Sequence, residues 1–105
     1  MTSKYQIIYW RDIPAQVKAR SGAARTAREL SPRFQQAIDA AAMVSGDVGT
    51  EAYLSAWRTS EWQSYEGAAE TLLDEIVARL EGEYTAERLS GLTARGGHEA
   101  ANQEH

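Results

Sequence analysis

Apolar and polar positions alternate at the start of the chain. Tyr5-Gln6-Ile7-Ile8-Tyr9-Trp10 is rich in aromatic and β-branched residues and predicts a strand. Tyr5, Ile7 and Tyr9 share one face, and Ile8 and Trp10 share the other. Apolar groups on both faces imply cover on both sides, or an aromatic left outside for a partner. Arg11-Asp12-Ile13-Pro14 breaks the run, because Asp favours local turn hydrogen bonds and Pro fixes φ. Ala15-Gln16-Val17-Lys18-Ala19-Arg20 then alternates strictly, with Gln16, Lys18 and Arg20 on the wet face. These two strands are expected to form a hairpin, and Ser21-Gly22 is the next turn. Residues 23–30 read two ways. Ala23, Ala27 and Leu30 fit a helical stripe, while Thr26, Arg28 and Leu30 fit one side of a third strand. The strand is favoured, because two strands alone are marginal in water.

The period then changes to that of helices. Ser31-Pro32 supplies a cap and a first helical residue, and Phe34, Ala37, Ile38, Ala41 and Ala42 make one stripe that Gly46 ends. Thr50 is a candidate cap for a second helix with Tyr53, Leu54 and Trp57 on its buried face. Residues 59–67 are polar with Trp62 and Tyr65 interleaved, and read as a loop or a frayed helical end. Residues 68–81 carry the clearest helical pattern, with Leu72, Leu73, Ile76, Val77 and Leu80 on one side and Gly82 after it. Thr85 opens a short last helix carrying Leu89 and Leu92. The expected fold is α+β. A short N-terminal antiparallel sheet of two to three strands is covered on one face by three to four helices near 31–45, 50–58, 68–81 and after Thr85. One domain is expected over residues 3–95, with a disordered tail at 96–105 where Gly, His, Glu, Asn and Gln take over.

Composition narrows the function more than it names it. The chain has 105 residues and no cysteine, which removes disulfides, thiol nucleophiles and thiolate metal sites and fits a reducing, cytoplasmic setting. The longest apolar run, Ala40 to Val44, falls far below the ~20 residues of a membrane span. Charge is uneven. Residues 1–35 hold seven basic groups and two acidic ones, whereas residues 36–105 hold four and thirteen. Such asymmetry fits either a basic surface for an anionic partner or mutual neutralisation of the two parts. The net charge of −4 argues against nucleic acid as that partner.

Candidate chemistry is sparse. His98 and His105 both fall in the expected tail, where a general base cannot be held in position. Glu70, Asp74 and Glu75 share one helical side and read as a solvated face, since nothing desolvates one relative to another. Asp47-Val48-Gly49-Thr50-Glu51 lacks the alternating ligands of a calcium loop, and Gly46 with Gly49 is a lone GxxG. No catalytic residue, metal ligand or cofactor is therefore assigned. One constellation stands out: Trp10, Arg11 and Asp12 at the hairpin end, Arg33 at a helix start, and Trp57 beside Arg58. Guanidinium groups beside aromatic rings can hold carboxylates or phosphates and stack on the rings. The same arginines can equally pair with Asp12 or Asp39 and lock the sheet to the helix.

The run Tyr5 to Val17, with its string WRDIPAQV, resembles the opening of a small bacterial family known as "virulence factor". So do RFQQAID at Arg33–Asp39, Ala41-Ala42-Met43, Gly49 to Leu54, and Trp57-Arg58, so that the resemblance spans roughly residues 4–58. The chain departs from the family pattern at Gly22–Arg25 and in 59–67. The resemblance brings no catalytic residues. It implies small stand-alone proteins, similar segments beside NifU-like and helical-repeat regions, and genes neighbouring corrinoid-dependent one-carbon methyl transfer. The expected function is thus a non-catalytic accessory module that binds a protein partner through the outer face of its sheet and the Trp10/Arg11/Asp12/Arg33/Trp57/Arg58 corner. Self-association stays open. The alternatives are a small-molecule or anion site at that corner, and nucleic-acid binding with Lys18, Arg20, Arg25 and Arg28 on one face.

Overall fold

Two long strands, β1 (Thr2–Trp10) and β2 (Ile13–Ser21), pair antiparallel through a two-residue turn at Arg11-Asp12. The structure, a computed structural model, describes residues 2–99. Arg11 takes a φ of 54°, which a non-glycine residue rarely adopts, because the turn must match the right-handed twist of the strands it joins. A third strand, β3 (Ala24–Glu29), adds to β2, so the strand reading of residues 23–30 holds.

The sheet is larger than the two to three strands expected. β4 (Trp57–Thr59) pairs with the end of β1 nearest the turn, and β5 (Gln63–Glu66) pairs with its start. The order is β3-β2-β1-β4, with β5 also against β1. Both extra strands come from residues assigned to a helix end and a polar loop. They are too short to carry a period-2 signal, and the exposed edge of β1 supplies their partner.

Among the described residues four helices complete the α+β fold: α1 (Pro32–Ser45), α2 (Glu51–Ser55), α3 (Ala69–Glu83) and α4 (Ala86–Ala94). α2 stops at Ser55, short of the expected 58, and Trp57 opens β4 instead of lining a helix. α3 runs through Gly82 to Glu83 and ends at Tyr84. Gly46 does end α1, with φ 75° and its N–H on the carbonyls of Ala42 and Met43. The capping expectation at Ser31 is corrected. Its hydroxyl makes no cap bond to the helix and donates instead to Glu81 at the end of α3.

The buried face of the sheet carries Tyr5, Ile7, Val17 and Ala19, all under 7% exposed, and packs against Leu72, Leu73, Ile76 and Leu80 of α3. Register then shifts between Ile8 and Tyr9, leaving Ala15 as an extra residue on β2. The shift lets consecutive residues Ile13 and Pro14 both be buried. Trp10 belongs to the opposite face by alternation and is nevertheless wholly buried, under Tyr53 of α2 and the backbone of Gly97. α1 and α4 pack on each other at this end.

Gly96 to Glu99, expected in the tail, make definite contacts. Gly96 and Gly97 are buried, the Gly97 carbonyl accepts from the Asp12 N–H at 2.9 Å, and the Glu99 N–H donates to Asp12 Oδ2 at 2.8 Å. The rest of the expected tail, from residue 100 on, lies outside the described residues.

Candidate functional site

Five of the six residues singled out in the sequence meet at one corner. Arg11 lies over the Trp10 ring, 4.5 Å from its centroid, and donates through Nη1 to the carbonyl of Gly96 at 2.7 Å and to Ser45 Oγ at 3.2 Å. Its Nη2 pairs with Asp47. The Ser45 hydroxyl and the Arg11 guanidinium hold the Asp47 carboxyl below its ordinary range. Arg58 donates from Nε to the Arg11 carbonyl at 2.8 Å, pairs with Asp12 at 3.3 Å and covers the Tyr9 ring. Trp57 meets Tyr53 edge-on at 6.2 Å. The corner therefore ties the hairpin turn to α1, α2 and the exit of α4.

Arg33 is elsewhere. It pairs with Glu81 at 3.1 Å and donates to the carbonyls of Glu81 and Tyr84. Burial raises the cost of charge on Glu81, but the Ser31 N–H and hydroxyl and the Arg33 guanidinium outweigh it, so the carboxyl sits below its ordinary value. Burial pushes the Tyr9 and Tyr84 hydroxyls up.

These contacts take Trp10 out of the expected contact surface and engage the arginines. Trp10 is 0% exposed and cannot touch a partner. Arg11, Arg33 and Arg58 each face a carboxylate of this chain, and neither of two surface hollows, lined by Ile8/Gln16/Trp57 and by Met43/Val48/Tyr53 respectively, includes any of them. The free guanidinium that an anion pocket needs is missing there. The carboxylates of Glu70 and Asp74 face Arg28 across the sheet edge, as a structural pair would. Among the described residues no group of three His, Asp or Glu side chains could hold a metal ion.

The basic first third thus splits in two. Arg11, Arg28 and Arg33 neutralise the acidic remainder. Lys4, Lys18, Arg20 and Arg25 form no salt bridge among the described residues. Register sets Arg25 opposite Arg20 and Arg20 opposite Lys4, so three cations stand in one row across β3, β2 and β1. Lys18 lies on the same face, two residues along. Arg28 falls on the other face, against the grouping expected for nucleic-acid binding. Among the described residues no helix closes over this row: Lys4, Lys18, Arg25 and Ala27 are all exposed. Trp62 is half-buried and lies 4.3 Å from the Arg20 guanidinium.

A family model described as virulence factor matches residues 8–93. The chain belongs to the virulence factor family. The match extends well past the resemblance read from the sequence and takes in α3 and α4, so the virulence factor domain includes the whole helical layer. It also includes Lys18, Arg20, Arg25 and the corner, but not Lys4. No curated protein and no solved structure matches this virulence factor chain.

Two features went unread in the sequence. The first is Lys4 as a member of the row. Counting back from the Trp10–Ile13 pair would set Lys4 opposite Ala19, and only the extra residue at Ala15 brings it to Arg20. The second is the exposure of four apolar side chains, Met43, Val44, Val48 and Leu54, all between 58% and 71% exposed. Leu54, expected on the buried face of the second helix, points to solvent. Asp39, Ala42, Met43, Val48, Gly49 and Tyr53 line a hollow of about 240 Å³ there.

Proposed function

We propose that this virulence factor domain is a non-catalytic protein-binding module that meets its partner through the open face of the sheet. The observation that supports the reading is the Arg25–Arg20–Lys4 row. Like charges directly opposite on neighbouring strands destabilise a sheet. A row of three cations that forms no salt bridge among the described residues, in a chain of net charge −4, repels along its length. Arg and Trp side chains are enriched at the energetic centres of protein interfaces, and Arg20 lies against the half-buried Trp62. The Arg11/Arg58 corner then acts as a brace that fixes the hairpin carrying the row. Accessory service to one-carbon methyl-transfer enzymes rests on the family resemblance and is part of this proposal.

Titration of the ¹⁵N-labelled protein with polyglutamate tests the reading. The amides of Lys4, Lys18, Arg20 and Arg25 are expected to shift first, and the shifts to fade with added salt. Shifts centred on Arg11 and Arg58 with the row unmoved would overturn it.

A further inference from the structure

Resting on the binding-module reading, we infer that the open face takes an acidic segment of a protein partner that carries a large apolar side chain ~13 Å from its carboxylates. Three observations carry this. The first is the charge row itself. With strands ~4.8 Å apart, Arg25 to Lys4 covers ~10 Å, the span of two or three neighbouring carboxylates. The second is a hollow of about 440 Å³ farther along the same face. Its floor is the next-but-one row, Glu29–Gln16–Ile8, and Leu30, Pro32 and Trp57 wall it. From Lys4 to Ile8 is four residues of strand, or ~13 Å. Ile8 and Trp57 are half-buried and offer an apolar seat for one large side chain. The third is the position of the carboxylates. Glu29 lines the hollow, and Glu66, opposite Thr2, stands at the other end of the face. A phosphate backbone laid along the strands from the row meets Glu29 at one end or Glu66 at the other, whereas carboxylates confined to the row, with an apolar side chain beyond them, avoid both. Charge complementarity therefore favours an acidic peptide over nucleic acid.

The test uses fluorescent synthetic peptides and the full chain. One peptide carries three glutamates, a three-residue glycine–serine spacer and a phenylalanine. A second places the phenylalanine directly after the glutamates, and a third lacks it. A short oligothymidylate is the fourth probe. The spaced peptide is expected to bind roughly tenfold tighter than the other two, since seating one aromatic side chain is worth about that much. Gln35→Trp, at an exposed position on the rim, fills the hollow and is expected to erase that advantage while leaving glutamate binding intact. Arg20→Glu with Arg25→Glu is expected to abolish binding of all three peptides. A far-ultraviolet circular dichroism spectrum like the parent's keeps that result interpretable. If the three peptides bind alike, the apolar seat is wrong and the cationic face stands. Tighter binding of oligothymidylate at the same residues overturns the peptide inference in favour of nucleic acid. If no probe binds this face, both the inference and the binding-module reading fail.

Discussion

Replacing Gly97 with alanine tests how the hairpin corner is built. Gly97 has φ +98°, and a methyl group there would stand 2.8 Å from Cζ3 and 3.2 Å from Cε3 of Trp10. Two costs add. An L-residue in the left-handed region loses ~1–2 kcal/mol. Forcing a methyl into a filled site costs a further ~1–3 kcal/mol, because the indole is wholly buried and its Nε1 is held on the Tyr53 carbonyl at 2.9 Å. The expected loss is about 3 kcal/mol, which for a domain of this size lowers the melting temperature by roughly 12–24 °C. Gly46→Ala is the control. It has φ +75° and nothing within 4 Å of the added carbon, so only the first cost applies, ~1–2 kcal/mol. Urea denaturation followed by circular dichroism gives both numbers. Trp10→Phe closes a cycle: Cζ3 and Cε3 belong to the benzo ring that phenylalanine lacks, so the Gly97→Ala penalty is expected to shrink in that background. Equal losses for Gly97→Ala and Gly46→Ala would refute the reasoning and detach Gly97 from the core.

Other expectations follow from the same contacts. Glu81 has a depressed carboxyl value, so its contribution is present above the unfolded value near ~4.3 and is lost as pH falls through the folded one. Glu81→Gln is therefore expected to lower the melting temperature at pH 7, with parent and variant converging below pH ~4; a constant gap down to low pH would contradict this. Met43→Ser and Leu54→Ser, at 71% and 68% exposure, are expected to change stability by less than ~0.5 kcal/mol in thermal melts, and a loss of several times that would mean these side chains are packed. Trp10→Ala is expected to cost ~3–5 kcal/mol in urea denaturation, and a near-neutral result would contradict its role as a core residue.

The elements legible in the sequence are those whose own pattern is strong. β1 and β2 each carry a β-branched, aromatic or alternating run of about six residues, and α1 and α3 hold a helical period over fourteen and fifteen residues. β4 and β5, of three and four residues, are strands only because β1 offers an edge, and α2 gives way where Arg58 pairs with Tyr9. The candidate corner was legible as an assembly, but the burial of Trp10 within it was not. Trp10 and Arg11 are adjacent to the turn in any hairpin, but Tyr53, Gly97 and Asp47 reach them from distant parts of the chain. Lys18, Arg20 and the wet face of β2 followed from alternation alone. Their alignment with Lys4 depended on one extra residue at Ala15, which alternation cannot reveal. The anchoring of Gly96 to Glu99 was hidden by composition, since the glycines that suggest a tail are those that let the chain pass over Trp10.

On the proposed function, the Arg25–Arg20–Lys4 row serves binding at some expense to the fold. The most direct test is the urea-denaturation midpoint of Arg25→Gln against the parent, in low salt and in about 1 M salt. Removing one of the opposed charges is expected to stabilise the protein by ~0.2–1 kcal/mol at low salt, with the gain vanishing when the charges are screened. A variant less stable than the parent at low salt would make the row part of the scaffold and contradict the account.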